Sequence, residues 1–115
     1  MDKKVIPPDE WGRFVEEFSE RNRGRRARFE AFAEGTVMEE DEEAVFESLS
    51  MNNGTVTVRR TIRTHGEKPI TDELTDIHGL TVQFDSDGSD NTIEFTDDNG
   101  DLAVLHFESM VDGEN

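Results

Sequence analysis

The chain reads as an α+β domain in which one N-terminal amphipathic helix packs on an antiparallel sheet, or partly closed barrel, of about six strands. Three observations predict this. Trp11, Phe14, Val15 and Phe18 fall at i, i+3, i+4 and i+7, a single stripe on a 3.6-residue period. From Arg25 the period changes to two and recurs through a succession of short segments. Between those segments stand Asn52-Asn53-Gly54, Asp85 to Asp90 and Asp98-Asn99-Gly100, which supply the residues that tight turns need.

Taken in order, residues 1–5 form a short leader, residues 6–111 a single domain and residues 112–115 a tail that frays. Pro8 suits a first helical position, where its missing N–H is no loss, and Asp9 and Glu10 favour the positive end of the helix dipole. Glu16, Glu17 and Glu20 occupy the wet face, and Gly24 is placed to end the helix in a left-handed conformation. Ala27, Phe29, Ala31 and Ala33 then alternate with Arg26, Arg28, Glu30 and Phe32, a half-buried strand ending near Gly35. Three of its four inward residues are small, which leaves space above them for the aromatic stripe of the helix.

The acids Glu39 to Glu43 read as a solvated loop or strand margin. Ala44 to Met51 and Thr55 to Arg63 form a hairpin, with Val56, Val58 and Ile62 on one face and Thr57, Arg59, Thr61 and Arg63 on the other. Thr64 to His78 is irregular and reads as a surface connection, with Ile70, Leu74 and Ile77 tucked inward or in a helical turn. Leu80, Val82 and Phe84 open a fourth strand and Ile93 and Phe95 a fifth. Leu102 to Phe107 is apolar at almost every position and belongs at the centre of the sheet.

Composition bounds the function more than it identifies it. Only 32% of the residues are apolar, yet the eight Phe recur in nearly every candidate element, which marks a folded chain. The formal charge is −16, from 28 acids against 12 bases, nine of them arginine. The acids are spread along the chain rather than gathered in a tail. This pattern fits a surface adapted to concentrated salt, where the screening length falls to about 3 Å at 1 M, so a halophilic setting is the expectation. Cysteine is absent, which excludes disulfides and thiolate chemistry. No apolar run approaches the ~20 residues of a membrane span, and the first residues lack the apolar region of a signal peptide. A cytoplasmic location without membrane attachment follows as the expectation.

At Ile6-Pro7, Glu10-Trp11, Phe14, Phe18, Gly24-Arg25-Arg26-Ala27 and Glu30, the chain resembles a family of small archaeal and bacterial proteins known only as a domain of unknown function. The similarity is best over Ile6 to Glu30, and His65 with Pro69 and the last strand–turn–strand unit are weaker matches. Glu34 to Glu47 departs from the family in being far more acidic. The resemblance implies a small α+β domain without known enzymatic activity, and it supplies no catalytic residues to carry over.

Arg21, Arg23, Arg25, Arg26 and Arg28 are the one basic concentration on this acidic chain. A guanidinium fork matches phosphate or carboxylate in bidentate fashion, so these arginines are the candidate partner- or anion-binding residues. The simpler reading pairs them with Glu17, Glu20, Glu30 and the Glu39 to Glu43 run. Nucleic acid is disfavoured, because the surrounding field repels phosphate and no exposed aromatic platform is evident. His65, His78 and His106 match no zinc spacing, and the aspartates at 85, 87 and 90 or 97, 98 and 101 lack the calcium-loop order and read as turns. No metal or cofactor is expected. No nucleophile elbow or phosphate-cradling loop is present, so the expected function is a non-enzymatic protein-interaction module. Its partner is a protein of unknown identity or a second copy in a homodimer. It would be met by strand addition at the hairpin, at the first strand, or at the helix–strand corner. Anion or nucleic-acid binding through Arg23 to Arg28 is the alternative, and an enzyme using His65 or His106 with a carboxylate is a third.

Overall fold

The computed structural model describes residues 3–33, 36–40, 44–63 and 66–108, with the backbone alone for 33 and 36–40. In chain order these form β1 (Lys3–Val5), a 3-10 turn (Pro8–Glu10), α1 (Trp11–Asn22), β2 (Arg26–Ala33), β3 (Thr36–Glu40), β4 (Ala44–Asn52), β5 (Thr55–Ile62), β6 (Lys68–Leu74), β7 (Ile77–Phe84), β8 (Asp90–Asp97) and β9 (Leu102–Phe107). Pro8 opens the 3-10 turn, and the helix proper begins one turn later at Trp11. Gly24 ends the helix as expected, at φ +94°. The hairpin between β4 and β5 likewise turns on Asn53 at φ 52° and Gly54 at φ 80°, the paired left-handed residues of a tight turn.

The strands are antiparallel and run β1-β7-β8-β9-β2-β4-β5-β6, with β3 added beside β2. The path holds eight strands rather than about six, and it remains an open sheet rather than a closed barrel. Three segments account for the difference. Lys3–Val5, expected as a loose leader, pairs with Thr81 to Gln83 of β7. Thr36–Glu40 pairs with β2, so Glu39 and Glu40 of the acidic run lie in a strand, while Asp41 to Glu43 fall outside the described residues. Lys68–Leu74, expected as an irregular connection, pairs with β5 along its whole length, from Ile62↔Lys68 to Val56↔Leu74. Each of these is a marginal or polar strand, and backbone pairing forms it without the apolar alternation that makes a strand visible in sequence. Pro69 is tolerated because β6 ends the path, where a strand needs no donor on its outer side. The tail over 112–115 lies outside the described residues.

β9 does sit centrally, between β8 and β2. Its inward Ala103, Leu105 and Phe107 join the main core, and Val104 on the opposite side is 5% exposed. The helix lies on the inner face against β4. Phe18 is fully buried, its ring 5.9 Å from Phe46 and 5.5 Å from Phe107, and Phe46 and Phe107 meet edge to face at 5.3 Å. Burial of each such ring contributes roughly 1.5–3 kcal/mol. Ser19 fastens the same helix through polar groups. Its buried Oγ donates its one proton to the Val15 carbonyl at 2.7 Å, lies 3.1 Å from the Leu49 carbonyl and accepts the Leu49 N–H at 2.8 Å. At the other end, the Trp11 indole donates to the Ile6 carbonyl at 2.7 Å, and the Ile6 N–H donates to the Leu80 carbonyl at 2.9 Å. The helix is thus tied to both halves of the sheet. No helix among the described residues is long and apolar enough to cross a membrane.

Candidate functional site

The arginine-rich stretch runs from the last turn of α1 into β2, so consecutive arginines leave the backbone in different directions. Arg21 reaches β8, where Nε and Nη2 grip the two carboxylate oxygens of Asp90 at 2.7 and 3.1 Å. Arg25 donates through Nη1 to Asn22 Oδ1 and the Asp90 carbonyl and through Nη2 to the Glu108 carbonyl, and it lies 4.9 Å over the Phe107 ring. Asn22 completes the group by donating to Asp90 Oδ2 at 2.8 Å. Asp90 is only 3% exposed, and a bulge in β8 makes this possible. Gln83 faces Thr92 while Phe84 faces Asp90, so Asn91 is an extra residue and Asp90 is turned toward the helix. The bond to Asp90 holds the Arg21 guanidinium above its ordinary range, whereas burial pushes that of Arg25 down. Both remain cationic, as arginines do.

The other three candidates are dispersed. Arg23 donates to the Glu47 carbonyl at 3.1 Å, Arg26 lies 3.9 Å from a Glu108 carboxylate oxygen, and Arg28 stands exposed on β2 opposite His106. Among the described residues Asp90, Asn22, Glu108 and main-chain carbonyls hold these arginines, and Glu17 adds its charge at Arg21, while the side chains of the Glu39 to Glu43 run lie outside the described residues. Arg21 and Arg25 are therefore brought together as a strut between helix and sheet, each with a guanidinium edge bonded to the protein and Arg21 still partly open to water.

The histidines do not converge. His65 lies outside the described residues. His78 is exposed, with Nδ1 3.4 Å from Asp98, and His106 meets Glu30 at 2.7 Å on the outer sheet face, its side chain one-third exposed. Neither lines the clefts of about 240 and 300 Å³ that the described residues form, and among the described residues no group of three or more potential ligands could hold a metal ion. The acidic turns are built by their own aspartates. Asp87 accepts from the Ser89 hydroxyl and N–H, and Asp97 accepts the N–H groups of Asn99 and Asp101.

Two features escaped the sequence reading. Arg60 is 1% exposed, on the inward phase of β5, where it pairs with Asp72 of β6 at 3.1 Å and lies 5.6 Å over Phe29. The signal was an arginine at an inward position of an alternating strand. The second is a cleft of about 240 Å³ between the end of β6 and the β2–β9–β8 surface. Ala31 and Ala103, register partners on β2 and β9, line it, together with Ile77 and Phe95. The space above the small residues of β2 was legible, but its expected occupant was the helix. The helix instead packs at the other end of the strand, where Ala27 pairs with Phe107.

Among protein families, curated proteins and solved structures, no match to the chain was found.

Proposed function

We propose that this chain is a non-enzymatic protein-interaction module whose contact surface is the cleft at the open end of its sheet. The observation that carries the reading is the apolar lining of the cleft, with Ala31, Phe32, Leu74 and Leu102 half-buried along it and Ile77, Phe95 and Ala103 buried beneath, at the end of β2 that has parted from β4 after pairing with it at Arg26 and Ala27. Apolar concavities with a few polar groups at the rim are the usual form of a binding site. Sheet edges support the reading less well. β5 is flanked by β4 and β6, and β2 by β9, β4 and β3, so neither the hairpin strand nor the first expected strand offers a free edge over its paired residues. The path ends in β1, with Lys3 and Lys4, and in β6, with Lys68 and Pro69, residues that discourage strand addition. The charge of −16 supports work in a salt-rich cytoplasm.

The test compares the wild-type chain with Ala31→Leu, whose added side chain enters the cleft, as baits in native lysate at molar salt. Specific capture by the wild type, lost on filling the cleft, is expected. Equal capture by both chains would overturn the reading.

A further inference from the structure

The cleft combines two kinds of surface. Its floor is apolar, and Leu74 of β6 extends that floor at one side. Its lining also includes Glu73 on β6, Asp97 at the end of β8 and Asp101 just ahead of β9, while among the described residues no lysine, arginine or histidine lines it. Elsewhere in the molecule carboxylates near apolar surface hold cations, as Asp90 holds Arg21 and Asp72 holds Arg60. Glu73, Asp97 and Asp101 pair with no cation among the described residues. Three like charges beside a low-dielectric floor focus a negative potential on the opening. A volume of about 240 Å³ is smaller than the roughly 300–1,000 Å³ of sites for drug-sized ligands, and suits one long side chain.

We propose that the cleft takes a single lysine or arginine side chain of a partner protein. Its methylene stem lies against Leu74, Ala31 and Phe32, and its cation among Glu73, Asp97 and Asp101. This rests on the cleft being the contact surface and adds what that surface recognises. The chemistry is that of an amphipathic side chain, which buries an apolar stem while its charged end meets carboxylates in partial contact with water.

Titration of the isotope-labelled full chain with blocked Gly-Leu-X-Leu-Gly peptides, X being Lys, Arg, norleucine or Glu, tests the proposal by amide NMR. The Lys and Arg peptides should shift the amides of Ala31, Leu74, Phe95 and Ala103 and bind about tenfold tighter than norleucine, the ratio expected of one charge-assisted hydrogen bond. The Glu peptide should leave these amides unmoved. In the Glu73→Gln/Asp101→Asn chain, whose amide dispersion reports that it is folded, the preference for Lys and Arg over norleucine should vanish. Asp97 is left intact because it caps its turn. Equal binding of Lys and norleucine peptides would overturn the charge reading while leaving the cleft as a contact surface. Free spermidine shifting the same amides as strongly as the Lys peptide would replace the protein partner with a small amine. If no peptide moves them, the proposal fails, and the lysate comparison with Ala31→Leu decides separately whether the contact surface survives.

Discussion

At one end of the β2–β9 pair, Ala27 faces Phe107 under the rings of Phe18 and Phe46; four residues along, Ala31 faces Ala103 beneath an open cleft. Both alanines are on the inner face of the same strand, roughly 13 Å apart at the rise of a strand. The first is fully buried and the second is half-buried. The difference lies in what the rest of the chain brings to each. A helix of 12 residues is about 18 Å long at 1.5 Å per residue, and its C-terminal end is anchored by Asp90, so its buried aromatic rings sit over one end of the sheet. At the other end β2 has left β4 and pairs with β3. An identical local sequence feature thus becomes fully covered core in one place and the half-buried lining of a cleft in the other.

The largest effects should come from the ion pairs that hold the walls on each side. Asp72→Ala removes a carboxylate partner of the fully buried Arg60 guanidinium, which braces β6, one wall of the cleft, and should cost about 3–5 kcal/mol in urea unfolding. Asp90→Ala, at the covered end, should cost less, about 2–4 kcal/mol, because Arg21 can turn to water and the buried Asn22 amide keeps its bond to the Phe18 carbonyl while losing the acceptor for its second N–H. A larger loss for Asp90 than for Asp72 would reverse this ranking of the two braces. A smaller but sharper contrast comes from making one substitution twice. Ala27→Leu forces extra volume into filled space and should destabilise by about 1–3 kcal/mol. Ala31→Leu enters the cleft and should change stability by less than about 1 kcal/mol. Equal penalties would mean that the cleft is closed in solution.

The smallest effect is expected at the β7–β8 turn, outside both ends. There Asp87 accepts the Ser89 hydroxyl at 2.6 Å and its N–H at 3.0 Å, which holds its carboxyl below the ordinary aspartate value of 3.8. A carboxylate lowered in the folded state contributes its stabilisation above that ordinary value and loses it as pH falls through the folded one. Carbon-detected titration should therefore place the Asp87 midpoint below 3.8, and Ser89→Ala should move it up.

Much of the architecture was legible because its causes are local. The stripe from Trp11 to Phe18, the stop at Gly24, the Asn53-Gly54 turn and the apolar strand over Leu102 to Phe107 each follow from residues within a few positions of one another. Strands β1, β3 and β6 were not legible, because Lys3-Lys4-Val5, the acids of β3 and Lys68-Pro69 carry no apolar alternation and depend on a neighbour's backbone for their form. The candidate arginines were correctly recognised as a concentration, but their distribution between a buried strut and the surface depends on a bulge in a strand far along the chain.

The sequence by itself determined one amphipathic helix followed by antiparallel strands, a strongly acidic exterior and a chain without cysteine chemistry, since composition and short-range periodicity suffice for all of these. Only the tertiary structure decided where the sheet opens, which residues end it, and that Arg21 is joined to an aspartate 69 positions away. Those outcomes depend on register and strand order among distant segments, and a free energy shared across the whole sheet cannot be read from any one of them.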